Sequence, residues 1–229
     1  MGNTARGPEG DHENSVKVAT YFPTAVYTAY RPDFLDAVKK VSRKHLKLAK
    51  DRAPKLDELY PVRMTQNFFA EPSIKGFSDF VGATSWNILH DQGYLMQDMV
   101  VQFTEMWTQE HHQGSQMDQH THRFGSQIVG FYFLDVPPSP PRALFYDPRP
   151  GVVQGSLPEA NAGKLTFAST MVNYEPKPGL FIFTNSWLAH SFTKNASKKP
   201  FTFVHFNLAA VPAQLMPTSA APSTGVEVI

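Results

Sequence analysis

The stretch DQHTHRFGSQIVGFYFL, residues 118–134, decides how this chain is to be read. His120 and His122 stand one residue apart. Side chains alternate along an extended chain, so both imidazoles fall on one side of it. The run QIVGFYFL that follows is β-branched and aromatic, and it predicts a buried strand. Two readings are open at this point. The histidines are metal ligands at the head of a core strand, or a polar pair on a surface strand. A third ligand elsewhere in the chain separates the two.

Outward from this stretch the pattern is mainly β. The runs MVVQFTEMWTQEH, QHTHRF, QIVGFYFLDV, RALFYD, KLTFAST, GLFIFTNS, AHSFTKN and PFTFVHFNLAAV are short and split by Pro, Gly and Asn. Such spacing predicts a sandwich or barrel. VATYFPTAVYTAY, near the N-terminal side, suits a first strand. Two helices precede the β region. One is expected near 33–49, with Asp33 as its cap and Phe34, Val38, Val41 and His45 on one stripe. The other is expected near 73–91, with Ser73 as its cap, Gly93 past its end and His90 near its C-terminus. Residues 1–15 and 212–229 are polar or Pro- and Ser-rich and are expected to be flexible tails. The expected class is α+β, mainly β, in one domain over residues 16–211.

Composition narrows the chemistry. The 229 residues contain 18 Phe, enough for a large aromatic core. There is no Cys, which removes disulfides, thiolate nucleophiles and zinc–thiolate sites. A formal net charge of +1 gives no global attraction to nucleic acid or to an acidic membrane. No apolar run is long enough to cross a bilayer, and the first fifteen residues carry no signal-peptide core. A cytoplasmic location is the expectation. No phosphate loop, Ser-His-Asp motif, His-Glu-x-x-His motif or nucleic-acid module is present.

The third histidine is sought among nine. His111 and His112 are neighbours and face opposite ways in a strand. His190, in PGLFIFTNSWLAHSFTKN, follows an apolar run and could close a site with His120 and His122 through the tertiary fold. Three imidazoles with open positions suit iron, zinc, copper or nickel. Asp118 shares the parity of the His pair. Trp107, Trp187 and Tyr132 read most simply as core aromatics, and Asp147 and Arg149 as a turn with an ion pair.

Four ordered segments now carry a resemblance. They are Trp107 upstream of Gly114, HTHRFGSQIVGFYFLDVP, LFYDPRP, and PGLFIFTNSWLAHSFTKN. Together the chain resembles the 2-oxoglutarate/iron(II)-dependent oxygenases of marine bacteria and their phages, from about YFPTAVY (21–27) to VHFNL (204–208). The resemblance implies a double-stranded β-helix (a jelly-roll or cupin-like core) with two flanking N-terminal helices. It implies Fe(II) held by His120, His122 and His190, and 2-oxoglutarate as a cosubstrate decarboxylated while a C–H bond is hydroxylated. His122 stands where the wider superfamily has a carboxylate, so the anionic cosubstrate or Asp118 has to supply compensating charge. The strand KKPFTFVHFNL has Phe201 at the position where the resemblance leads one to expect an Arg for the far carboxylate. The substitutes on offer are Lys199, Arg149 and His205, with Asn207 and Tyr132 as further cosubstrate-binding candidates.

The substrate is open among a protein side chain, a nucleotide and a small metabolite, and a homo-oligomer is compatible with the sequence. Two rivals stand beside this reading. One is a cupin-like metalloenzyme that does not use 2-oxoglutarate, favoured by Phe201. The other is a non-enzymatic β-barrel, such as a phage-particle component.

Overall fold

The computed structural model describes residues 16–122, 125–155 and 157–215. Its strands are β1 (Val26–Tyr30), β2 (Val62–Met64), β3 (Met99–His111), β4 (Met117–His120), β5 (Ile128–Asp135), β6 (Ala143–Tyr146), β7 (Met171–Tyr174), β8 (Leu180–Asn185), β9 (His190–Phe192) and β10 (Phe201–Pro212). Its helices are α1 (Leu35–Arg52), α2 (Lys75–Asp91) and the short α3 (Pro150–Gly155). Every strand pairing is antiparallel. One sheet has the order β1-β8-β5-β10-β3-β2 and the other β4-β9-β6-β7. This is the mainly β, two-sheet architecture expected from the spacing of short strands.

Alternation along the central strands separates two apolar layers. Val204, Phe206 and Leu208 of β10 join Tyr132 and Leu134 of β5 on the outer face, where Val38 and Val41 of α1 and Phe77, Val81 and Ile88 of α2 cover them. Phe201 and Phe203 join Phe131, Phe133, Ile182 and Phe192 between the sheets. Burying each such ring removes it from water for about 1.5–3 kcal/mol. The helices therefore serve as a lid on the back of the large sheet, and the inter-sheet face is left to the site. At Gly130 the two layers leave no room for a side chain. A Cβ there would lie 2.4 Å from Phe206 and 2.6 Å from the Ile182 carbonyl oxygen.

Some local expectations are corrected. Neither helix uses its expected cap. A 3-10 turn, Pro32–Phe34, leads into α1, and Asp33 instead pairs with Arg31. Ser73 likewise lies in a 3-10 turn, Pro72–Ile74, with no side-chain cap. Pro at the first position sets the turn in both cases. Gly93 does end α2 at φ +89°, donating to the His90 carbonyl. KLTFAST is not a strand; the pairing begins after it, at Met171 opposite Tyr146. Residues 1–15 lie outside the described residues. The expected tail boundary at 212 falls within structure, since Pro212 pairs with Met99 and Ala213 donates to the Asp98 carbonyl at 2.9 Å.

Candidate metal centre

His120 ends β4 and His190 begins β9, and the two are register partners in the small sheet. His122 lies two residues past the end of β4. Its backbone N–H donates to the Ser186 carbonyl at 2.9 Å, which turns the chain back toward β9. The three rings converge, with centroids 4.6 Å apart for His120–His190, 5.1 Å for His120–His122 and 5.2 Å for His122–His190. One nitrogen from each lies within 4.8 Å of the others. The pairing foreseen from parity thus comes about, though through a strand end and a turn rather than a continuous strand.

Main-chain carbonyls set the tautomers. His120 Nδ1 donates to the Asp118 carbonyl at 2.7 Å, and His190 Nδ1 to the Leu188 carbonyl at 3.0 Å. Each ring then presents Nε2 as a lone pair, the arrangement that orients metal-bound imidazoles. The Nε2 atoms of His122 and His190 are buried and have no protein partner. A buried unpaired nitrogen is unfavourable unless something binds it. Burial, with the neighbouring His120 adding to it, lowers His122 to about 4. Burial likewise lowers His190 to about 3, against the opposing Leu188 hydrogen bond. Both are neutral at pH 7, the form a metal needs. The donor set fits Fe(II) as a three-nitrogen face. Asp118 contributes its carbonyl and not its charge, since its carboxylate is exposed and meets Gln116.

The remaining candidates are placed unequally. His205, on β10, is fully buried against the site, with its ring 4.8 Å from that of His122 and stacked on Phe131 at 4.8 Å. Asn207 shares its face and donates to Glu105 Oε2 at 2.8 Å. Tyr132 is not brought to the site: it faces α2, and its hydroxyl donates to the Arg31 carbonyl at 2.8 Å. Lys199 is not brought there either. Pro200 interrupts the strand before β10 begins, so the parity assumed for Lys199 does not hold. Its carbonyl accepts from Asn195, and its side chain lines a separate cleft with Lys39 and Glu110. Arg149 is exposed and held by Asp147 through two hydrogen bonds of 2.9 and 2.7 Å. It lies on the rim of a cleft of about 610 Å³, with Phe145, Tyr146, Tyr174 and Leu188. Phe145 connects that cleft to the histidines, 6.1 Å from His190.

A polar strip on β3 escaped the sequence reading. Trp107, Gln109 and His111 face inward opposite His205, Phe203 and Phe201. His111 Nε2 donates to Gln109 Oε1 at 2.9 Å, and Gln109 Nε2 donates to His205 Nδ1 at 3.4 Å. Its signal was the alternation of Trp107, Gln109 and His111, visible once β3 is paired with β10. Among the described residues this inner face carries no Lys or Arg, so Phe201 has no charged replacement beside it.

The chain is thus a two-sheet antiparallel β-helix with three imidazoles gathered between its sheets. Residues 105–207, which include all three histidines, match the family described as "Putative 2OG-Fe(II) oxygenase". Over that region the chain is similar to the 2-oxoglutarate/Fe(II) oxygenases, the family that the four sequence segments resemble. Solved structures share the fold. A prolyl-4-hydroxylase from Pseudomonas putida aligns over 81% of this chain and 93% of its own, at 10% identity and a TM-score of 0.52. The viral collagen prolyl hydroxylase of Paramecium Bursaria Chlorella virus-1, a 2OG complex, aligns over 80% and 94%, at 11% identity and 0.52. AviO1 from Streptomyces viridochromogenes Tue57 aligns over 81% and 90%, at 15% identity and 0.53. No curated protein matches the chain in sequence. No helix among the described residues is long and apolar enough to cross a membrane.

Proposed function

We propose that His120, His122 and His190 hold Fe(II), and that the protein hydroxylates a C–H bond of an organic substrate in one oxygenase domain running from about residue 16 to the end of β10. The observation that carries this is the convergence of three ring nitrogens within 4.8 Å, two of them buried and unpartnered. Bound there, iron and a 2-oxo acid would supply oxygen activation coupled to decarboxylation. The chain supplies orientation and dryness. Asp118 and Leu188 carbonyls fix the ligand rings, while Phe131 and Phe145 wall His190 from bulk water. The cleft walled by Phe145, Tyr146, Tyr174 and Leu188 supports a substrate that offers an uncharged segment to the site, whether on a protein side chain, a nucleotide or a small metabolite. A cytoplasmic setting accords with the absence of Cys.

The test is calorimetric titration of Fe(II) into metal-free protein under anaerobic conditions, with His190→Ala alongside. Binding of one equivalent that His190→Ala abolishes is the expected result. No binding by the wild type would sink the reading. A cupin-like metalloenzyme without a 2-oxo acid is the second reading, favoured by the uncharged face around Phe201. It predicts iron binding with no response to any 2-oxo acid.

A further inference from the structure

Three buried polar atoms near the histidines have no partner: Trp107 Nε1, His205 Nε2 and Asn207 Oδ1. They share one strip. Trp107 and His205 are register partners on β3 and β10 with rings 4.3 Å apart, and Asn207 is next along the same face. Trp107 Nε1–H is a donor in every state. The Gln109 amide, donating to His205 Nδ1, leaves the His205 proton on Nε2, making a second donor. Two adjacent buried donors suit a carboxylate or keto oxygen.

Beyond this strip the site is closed to charge. Phe131, Phe133, Phe192, Phe201 and Phe203 are buried, and their rings pack at centroid separations such as 4.9 Å for Phe192–Phe203 and 5.8 Å for Phe133–Phe201. A second carboxylate entering there would be desolvated with no cation to meet it. The open side offers nothing better. The cleft that reaches the strip, about 660 Å³, is lined by Trp107 with Asn67, Gln66 and the acidic Glu105, which Asn207 holds in place.

We infer that this chain binds its 2-oxo acid through the neutral donors of Trp107 and His205, and that Phe201 and Glu105 make it select a short monocarboxylic 2-oxo acid over 2-oxoglutarate. The inference rests on the oxygenase reading and narrows its cosubstrate. The reaction balances without the second carboxylate. Dioxygen accepts four electrons, two from oxidative decarboxylation of the 2-oxo acid and two from the C–H bond. The products are carbon dioxide, a carboxylic acid one carbon shorter, and the hydroxylated substrate.

The experiment is anaerobic calorimetry on full-length, Fe(II)-loaded protein with 2-oxobutyrate and 2-oxoglutarate in turn. 2-Oxobutyrate is expected to bind at least about tenfold more tightly, and Trp107→Phe to weaken it by about tenfold, the loss of one hydrogen bond to a charged group. The near-isosteric Glu105→Gln removes the repelling charge and is expected to narrow the ratio between the two acids. Tighter binding of 2-oxoglutarate, or a ratio that Glu105→Gln leaves unmoved, overturns the inference. Iron binding with response to neither acid overturns it while leaving the metal site standing. Failure to bind iron removes the oxygenase reading and this inference together.

Discussion

Replacing Gly130 by Ala is expected to damage both fold and site. Gly130 sits mid-strand on β5, opposite Phe206 of β10 and Phe183 of β8. An added Cβ would lie 2.4 and 2.5 Å from two Phe206 ring atoms and 2.6 Å from the Ile182 carbonyl oxygen, where ordinary contact begins at 3.4 Å. Something has to move by almost an ångström. Phe206 has no free space, since it is fully buried with Phe183 at 5.3 Å. The carbonyl belongs to the sheet ladder. Overpacking of this kind costs about 1–3 kcal/mol or more. The loss of unfolded-chain freedom on Gly→Ala returns only about 0.4–1 kcal/mol. With contacts this short the cost lies near the top of that range, so a net loss of about 2 kcal/mol and a fall in Tm of roughly 4–8 °C are expected for a chain this size. The next residue, Phe131, stacks on His205 and touches His190, so displaced β5 should also weaken metal binding. Urea denaturation and differential scanning calorimetry read the first effect, and metal titration the second. A Gly130→Ala protein within about 0.5 kcal/mol of the wild type would refute the packing argument.

Gly82 offers the opposite sign: it lies within α2, and a Cβ added there would meet nothing within 4 Å, so Gly82→Ala should stabilise by about 0.5–1 kcal/mol in the same urea assay. His111 supplies a pH test in metal-free protein. Burial lowers it to about 4, so between pH 6.5 and 4 the unfolded chain binds a proton that the folded chain refuses. Stability therefore falls on acidification through that window, and His111→Gln should reduce the fall by up to about 3 kcal/mol in urea midpoints taken across it. Lys199→Ala and Arg149→Ala should leave iron affinity within about twofold by calorimetry, and each should change stability by under about 1 kcal/mol, as exposed groups do. His45→Ala, which removes the 2.8 Å contact with Glu71 and the ring packing on Phe68 on the helical side, should leave iron binding intact where His190→Ala abolishes it.

The legible part of the site was the part written in local pattern. His120 and His122 are close in sequence, and His190 follows an apolar strand and a Trp-Leu turn that the resemblance made recognisable. The helices were legible because their apolar stripes face a sheet. Lys199 was misplaced because parity was carried back through Pro200, where extended pairing stops. Tyr132 was misassigned because every residue of β5 from Ile128 to Leu134 is buried, so burial alone gives no inside or outside. Which face meets the helices and which meets the histidines is decided by the partner strands. The Trp107–Gln109–His111 strip was hidden for the same reason: its meaning depends on β10, almost a hundred residues away.

The position of β10 has a consequence for how the molecule comes into being. It is the strand between β3 and β5, yet it follows every other strand among the described residues. A ribosome adding about 5–20 residues per second delivers β3 and β5 several seconds before the strand that joins them. Until then two Phe- and Val-rich edges stand bare, the condition under which nascent chains aggregate or recruit holding factors. His205 and Asn207 arrive on that same late strand. Until that strand arrives, the histidines lack the wall against which His122 packs, His205 at 4.8 Å, so the pocket is completed last.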